Sequence, residues 1–270
     1  MIQELFLQIN WNPNPYVFEL GWLKLKWYGL MFALAVLAGY WILVLQFRKR
    51  NLPVSQVATL VQYQFLGGII GARLGQVLFY DFAYYLANPI EIVMIWHGGL
   101  ASHGAAIGGF VSLWLFLRKY KILSYLELLD ILVVPAAAIG GLIRIGNLMN
   151  SEIIGLPTSM PWAFVFAQRD AIPRHPSPLY EAVLLFSVLA LLFFLHQNRK
   201  LPLGMLTGLF FTLTFTGRFG LEFFKENTTV SQPLNIVVAL FGMTVLGWSL
   251  LFRRNKDRVK NPPQPLRGGE

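Results

Sequence analysis

Two arginines and a histidine stand inside or beside long apolar stretches, where charge is expensive: Arg144, Arg218 and His103. Asn147 follows Arg144 by three residues, which puts both on one helix face, and Asn150 and Glu152 come next. An arginine fork suits planar, bidentate recognition of a phosphate or a carboxylate. Arg218 and Glu222 are four apart, again one helix face. Either arginine could instead be held by its neighbouring acid, as Arg144–Glu152 or Arg218–Glu222, and neither pairing excludes a ligand. His103 lies in the glycine-dense run His97-Gly98-Gly99-Leu100-Ala101-Ser102-His103-Gly104. Its ring could take a proton from a reacting group or serve as a structural hydrogen-bonder, whereas His97 reads as interfacial. Arg73 sits in the row Gly67, Gly71, Gly75, a spacing that lets helices approach closely. It reads equally as a partner in a site or as a side chain that reaches the interface. His175-Pro176-Ser177-Pro178-Leu179-Tyr180-Glu181 reads as a helix start, with Ser177 as N-cap, Pro178 first and Glu181 in the positive opening turn.

The elements that carry these residues follow from composition. Hydrophobic residues make up 56% of the chain and charged ones 13%, against about 25% charged in soluble domains. Apolar runs such as Val183 to Leu195 and Asn235 to Phe252 are nearly free of charge, and a helix needs about 20 such residues to cross the hydrocarbon core. The expected fold is all-α and polytopic, with about seven spans: Trp27–Phe47, Val57–Tyr80, Leu100–Leu117, Glu127–Asn147, Pro178–Leu195, Leu203–Phe219 and Leu234–Phe252. Arg48-Lys49-Arg50, Arg118-Lys119-Tyr120-Lys121, Arg199-Lys200 and Arg253-Arg254 then all fall on one side. By the positive-inside rule that side is the cytoplasm, with the N-terminus outside and the C-terminus inside. The net charge of +9 is thus a topology signal and does not point to nucleic acid. On this frame Tyr28, Arg73, His103, Arg144, Asn147, Arg218 and Glu222 share one depth near the outer face. Residues 1–255 form a single transmembrane domain, 151–177 a small extracytoplasmic cap and 256–270 a disordered cytoplasmic tail. The alternation before Trp27 suggests a short outer strand, and the first span is expected to direct insertion without a cleavable leader.

With no cysteine in the chain there is no disulfide framework, thiolate metal site or thiol nucleophile. No nucleotide-binding loop, nucleophile turn or metal-ligand spacing occurs, so neither cofactor nor metal is expected. Intramembrane arginines would also suit a transporter of an anionic solute, but such a protein should carry polar residues at mid-depth and broken helices in paired halves. A non-catalytic lipid-binding scaffold would have no use for His103.

Taken in order, the runs from His97 to Gly104, Arg144-Ile145-Gly146-Asn147, His175 to Glu181 and Gly217-Arg218-Phe219-Gly220-Leu221-Glu222-Phe223 resemble bacterial prolipoprotein diacylglyceryl transferases. Trp27-Tyr28-Gly29 and Gly71-Ala72-Arg73-Leu74-Gly75 fit the same family. The resemblance implies transfer of an sn-1,2-diacylglyceryl group from phosphatidylglycerol to the lipobox cysteine thiol of a preprolipoprotein, giving a thioether and glycerol 1-phosphate. The expected setting is the bacterial cytoplasmic membrane with the site facing the outer leaflet, and the expected state is a monomer. The resemblance carries the family's essential residues onto Tyr28, His103, Arg144, Asn147, Glu152, Gly155, Arg218 and Glu222; His103, Arg144 and Arg218 are read as catalytic, and the others, with Arg73 added from its place within an apolar span, as substrate-binding. Two positions depart from the family pattern: Ile143 stands where glycine is usual, and Thr214 where a tyrosine is usual.

Overall fold

A computed structural model describes residues 8–21, 23–196, 201–226 and 231–260. Arg199 and Lys200, counted above in the cytoplasmic charge pattern, lie outside these residues, as do 261–270 of the expected tail. The described residues contain eight α-helices: α1 (Trp27–Lys49), α2 (Ser55–Phe79), α3 (Phe82–Ala87), α4 (Ser102–Tyr120), α5 (Tyr125–Met149), α6 (Ser177–His196), α7 (Met205–Glu222) and α8 (Ser231–Lys260). Each of the seven expected spans coincides with a helix, and only the six-residue α3 has no counterpart among them. α1, α5, α6 and α8 are long and apolar enough to cross a membrane. α2, α4 and α7 carry more glycine and polar side chains; at 1.5 Å per residue, the 18 residues of α7 still reach about 27 Å. The chain is an all-α polytopic membrane protein. α8 runs on to Lys260, eight residues past the expected end of the last span.

The backbone divides into two compact units, one made of residues 1–39 and 129–270, the other of 40–128. In the first, the expected outer strand is a hairpin, β2 (Tyr16–Leu20) against β3 (Leu23–Lys26), which runs directly into α1. A second small sheet joins distant segments: β1 (Ile9–Trp11) pairs in parallel with β4 (Phe164–Phe166), and β4 pairs antiparallel with β5 (Pro173–Arg174). Beneath it Leu148, Ile154, Phe164 and Phe166 form a buried cluster with Trp11 and Leu179 against it. The Trp11 indole N–H donates to the Leu148 carbonyl at 2.9 Å, so this sheet is fastened to the end of α5. Residues 151–176 thereby close over the end of α5 and the start of α6.

α7 is fixed at its other end by a buried acid on α5. Asp130 accepts from the Gly204 N–H at 2.7 Å and from the N–H and hydroxyl of Thr207 at 2.8 and 2.6 Å. The two N–H groups are among the backbone donors that an α-helix start leaves without partners of its own. In the second unit the glycine row of α2 lies against α4. A Cβ on Gly108 would run into the Gly67 carbonyl oxygen, and one on Gly71 into that of Gly104. The row is a packing device, as its spacing implied.

Candidate functional site

The C-terminal end of α5, the N-terminal part of α6 and the last turn of α7 meet in the first unit around Glu181, whose side chain is wholly buried. Arg144 Nε lies 2.5 Å from Glu181 Oε2, off the N–H direction, so the contact is an ion pair and not an aligned hydrogen bond. Lys225 Nζ donates to Glu181 Oε1 at 2.6 Å and to Glu222 Oε1 at 2.9 Å. Arg218 Nε stands 3.7 Å from Glu181 Oε1, within ion-pair reach but without a hydrogen bond. Burying charges is tolerated only with close compensation, and here three cations share two buried carboxylates. The surplus is one positive charge.

On the solvent side of Arg144 a polar chain continues. Arg144 NH1 donates to Asn147 Oδ1 at 3.3 Å, Asn147 Nδ2 to Glu152 Oε2 at 3.0 Å, and Asn150 Nδ2 to Glu152 Oε1 at 3.1 Å. Glu152 is returned toward Asn147 by a tight turn in which Ser151 and Ile153 take φ of 54° and 56°. For a β-branched residue such as Ile153 that conformation is strained, and the Glu152 N–H bond to the Asn147 carbonyl at 2.9 Å holds it. The Arg144–Glu152 and Arg218–Glu222 pairs left open by spacing are therefore both replaced: Asn147 separates the first, and Glu181 and Lys225 take the second. Tyr28 packs at the Gly146 surface of α5, its Cδ2 3.2 Å from where a Cβ there would lie.

Gly155 joins three segments. Its N–H donates to the His175 carbonyl at 2.9 Å, it bridges to Lys225, and its own carbonyl accepts from Arg174 NH1 at 3.2 Å. A Cβ at Gly155 would come 2.6 Å from both the Cβ and the carbonyl oxygen of His175, so only glycine permits this approach. Arg174 also grips Asp170 with two nitrogens, at 3.0 and 2.7 Å to Oδ2. That hydrogen bonding holds the Asp170 carboxyl below its ordinary range. Ser177, expected as the α6 cap, directs its hydroxyl at the Phe224 carbonyl at 3.4 Å and so ties α6 to the chain leaving α7.

His175 Nδ1 lies 3.1 Å from the Tyr180 hydroxyl, which also accepts from the Trp162 indole at 2.8 Å. Burial lowers the His175 pKa from its ordinary value of about 6.5. The unfolded chain then binds the proton more readily, so stability falls as the pH drops below that value. Amide exchange across residues 155–177 is expected to speed up between about pH 7.5 and pH 5.5, through that titration range, and His175→Gln should flatten the dependence. Exchange that stays pH-independent after correction for intrinsic rates would contradict this.

His103 and Arg73 belong to the second unit. His103 is in the first turn of α4, with its ring 5.4 Å from that of Tyr80 and 6.3 Å from that of Phe79. Arg73 is buried, and each of its N–H groups is taken by a carbonyl: Nε by Ile92 at 3.0 Å, NH1 by Gly98 and by Gly99 at 3.0 Å, NH2 by Glu91 and by Met94 at 3.2 Å. Its guanidinium carbon lies 4.8 Å from the centre of the Tyr85 ring. A guanidinium has five donors, so none is left for a substrate. In this geometry Arg73 gathers carbonyls from residues 91–99 just before α4. Gly98 and Gly99 turn their carbonyls to it with φ of 87° and 71°, a conformation that favours glycine. Arg73→Met should strand those carbonyls, and each buried unpaired polar group costs about 1–3 kcal/mol. The expected outcome is a large drop in thermal stability with protease cleavage appearing between residues 88 and 101.

Spacing alone did not find Lys225, although it follows Glu222 by one helical turn, nor the central place of Glu181. The signal for Glu181 was present in an acid one turn inside an apolar span, at the depth of two arginines.

The sequence pattern of the prolipoprotein diacylglyceryl transferase family matches residues 15–248. A phosphatidylglycerol–prolipoprotein diacylglyceryl transferase of Tolumonas auensis is 43% identical over 84% of this chain and 88% of its own length. The enzymes of that name from Chloroherpeton thalassium and Bacteroides fragilis are 40% and 41% identical, covering 88% and 96% of this chain and 93% and 100% of their own lengths. A match across nearly every helix, carried by relatives that align along most of their length, leaves one conclusion: the chain belongs to the prolipoprotein diacylglyceryl transferase family.

Proposed function

We propose that this protein transfers the sn-1,2-diacylglyceryl group of phosphatidylglycerol to the lipobox cysteine thiol of a preprolipoprotein. The bond between the sn-3 carbon and the phosphate ester oxygen breaks, a carbon–sulfur thioether forms, and glycerol 1-phosphate leaves. The observation that carries the reading is the surplus positive charge at Glu181, together with an arginine that still has donors to offer. Arg144 has its Nε beside Glu181 as an ion pair and gives one N–H to Asn147, which leaves at least three of its five donors for phosphate oxygens. Arg218 adds a second fork, and the two stabilise the charge that grows on the departing phosphate.

His103 accepts the thiol proton, because the thiolate is the competent nucleophile. Asn147 and Glu152 orient Arg144 and the headgroup, Glu222 acts through Lys225, and Tyr28 borders the phosphate site. Gly155 positions Lys225 and His175, and Arg73 holds the loop that leads to His103. The protein works as a monomer in the bacterial cytoplasmic membrane, N-terminus out, with the site open to the outer leaflet. Wild-type protein in phosphatidylglycerol vesicles with a lipobox peptide should release glycerol phosphate in step with loss of peptide thiol. A cysteine-to-serine peptide should release far less, since a hydroxyl supplies no thiolate. Equal release with both peptides would reduce the reaction to lipid hydrolysis and overturn the reading.

A further inference from the structure

In the second unit, the chain between α2 and α4 turns a continuous apolar face outward. Leu86, Ile90, Val93 and Trp96 are 73%, 66%, 68% and 72% exposed, an unusual density of large side chains for a segment meant to meet water. α3 and the two 3-10 turns at Pro89–Ile92 and Ile95–His97 are each far too short to cross a bilayer. The segment leaves α2 after Phe79 and enters α4 at Ser102, so it begins and ends where two membrane helices reach the same side. Leu78 and Phe79, at the end of α2 where the segment begins, are exposed as well.

Charge points the same way. Residues 80–99 hold two acids, Asp81 and Glu91. Gln76 donates to the Asp81 carboxylate at 2.6 Å, and Glu91 meets His97 Nδ1 at 2.8 Å, so neither acid points at the apolar face unaccompanied. The inner side is as specific as the outer side is plain, with Tyr85 buried and Arg73 binding five carbonyls. A rigid polar base with tryptophan, tyrosine and aliphatic side chains on its outer face is the composition of an element that lies in the membrane interface.

We propose that residues 80–100 are an in-plane membrane wedge, with Leu86, Ile90, Val93 and Trp96 inserted among the lipids of the leaflet nearest His103, and that the occupant of this face is the phospholipid bilayer. The wedge sets the depth of the loop that Arg73 locks, and through it the depth at which α4 begins. The inference stands apart from the transferase reading, since it needs no reaction.

Because the chain has no cysteine, single-cysteine variants can be spin-labelled directly. Ile90→Cys and Trp96→Cys would be compared in phosphatidylethanolamine–phosphatidylglycerol vesicles with Arg169→Cys, on an exposed turn, and Val237→Cys, on the exposed face of α8. Collisions with oxygen and with a water-soluble nickel chelate report depth. The expected result is severalfold less nickel contact at positions 90 and 96 than at 169, with oxygen contact raised toward that at 237. Nickel contact equal to that at 169 would overturn the proposal. So would shielding that appears only after a lipobox peptide is added, which would assign the face to the acceptor. If the labelled proteins do not fold, brominated phospholipid serves as a second probe. It should quench wild type more than Trp96→Phe, and equal fractional quenching would overturn the proposal.

Discussion

Glu181→Gln is expected to do the greatest damage, to stability and to transfer together. The substitution keeps the shape but removes the charge on which Arg144, Arg218 and Lys225 converge. Glu222 alone would then face three cations, and breaking a buried ion pair by removing one partner costs about 3–5 kcal/mol. The arginines would also lose the carboxylate that fixes their positions. Adding Lys225→Met to Glu181→Gln removes one uncompensated cation, so the double variant should recover part of the stability and none of the activity. That non-additive stability with unrecovered transfer separates a charge hub from simple packing. If Glu181→Gln matched wild type in both, the hub would not matter to the protein.

The second large effect is expected at Arg144→Lys. Lysine keeps the charge and can still reach Glu181, so the fold should persist. A compact ammonium cannot reproduce the fork that spans Glu181, Asn147 and a phosphate. Losing a donor to a developing oxyanion typically costs about 10²–10³ in kcat, and a loss of that order is expected here. The deficit should lie mainly in kcat, because the charge stabilised grows only as the phosphate departs. A KM increase at unchanged kcat would show that Arg144 merely holds the lipid.

Arg73 makes the contrast instructive. Sequence treats the two arginines alike, as charges within apolar helices, and the distinction lies in the donors. Arg73 gives all of its N–H groups to backbone carbonyls 18 to 26 residues away, while Arg144 keeps three. Such a difference depends on a loop conformation, held by two glycines at positive φ, that no periodicity reports. The helices themselves were legible because hydrocarbon thickness and 3.6-residue geometry leave few ways to cross a membrane. The pairing of Arg144 with Asn147 was legible as well, being three residues apart on one helix. The sheet of β1, β4 and β5 was not, since it joins Ile9 to Phe164 across a separation that no local pattern spans. Glu181 was read from its helix start and not from its neighbours in space. Lys225 was passed over because it falls just beyond α7. Thr214, expected from the resemblance to depart from a usual tyrosine, is buried with its hydroxyl unpaired among the described residues.

If the cationic cluster at Glu181 performs transfer to a thiol, the most direct measurement is the mass of the acceptor. Purified protein in phosphatidylglycerol vesicles would be given a lipobox peptide, with wild type run beside Arg144→Ala and His103→Ala. The predicted result is a diacylglyceryl mass gain on the peptide cysteine with wild type, and its loss in both variants while each remains folded. No gain with folded wild type and a competent peptide, or full gain with Arg144→Ala, would contradict it.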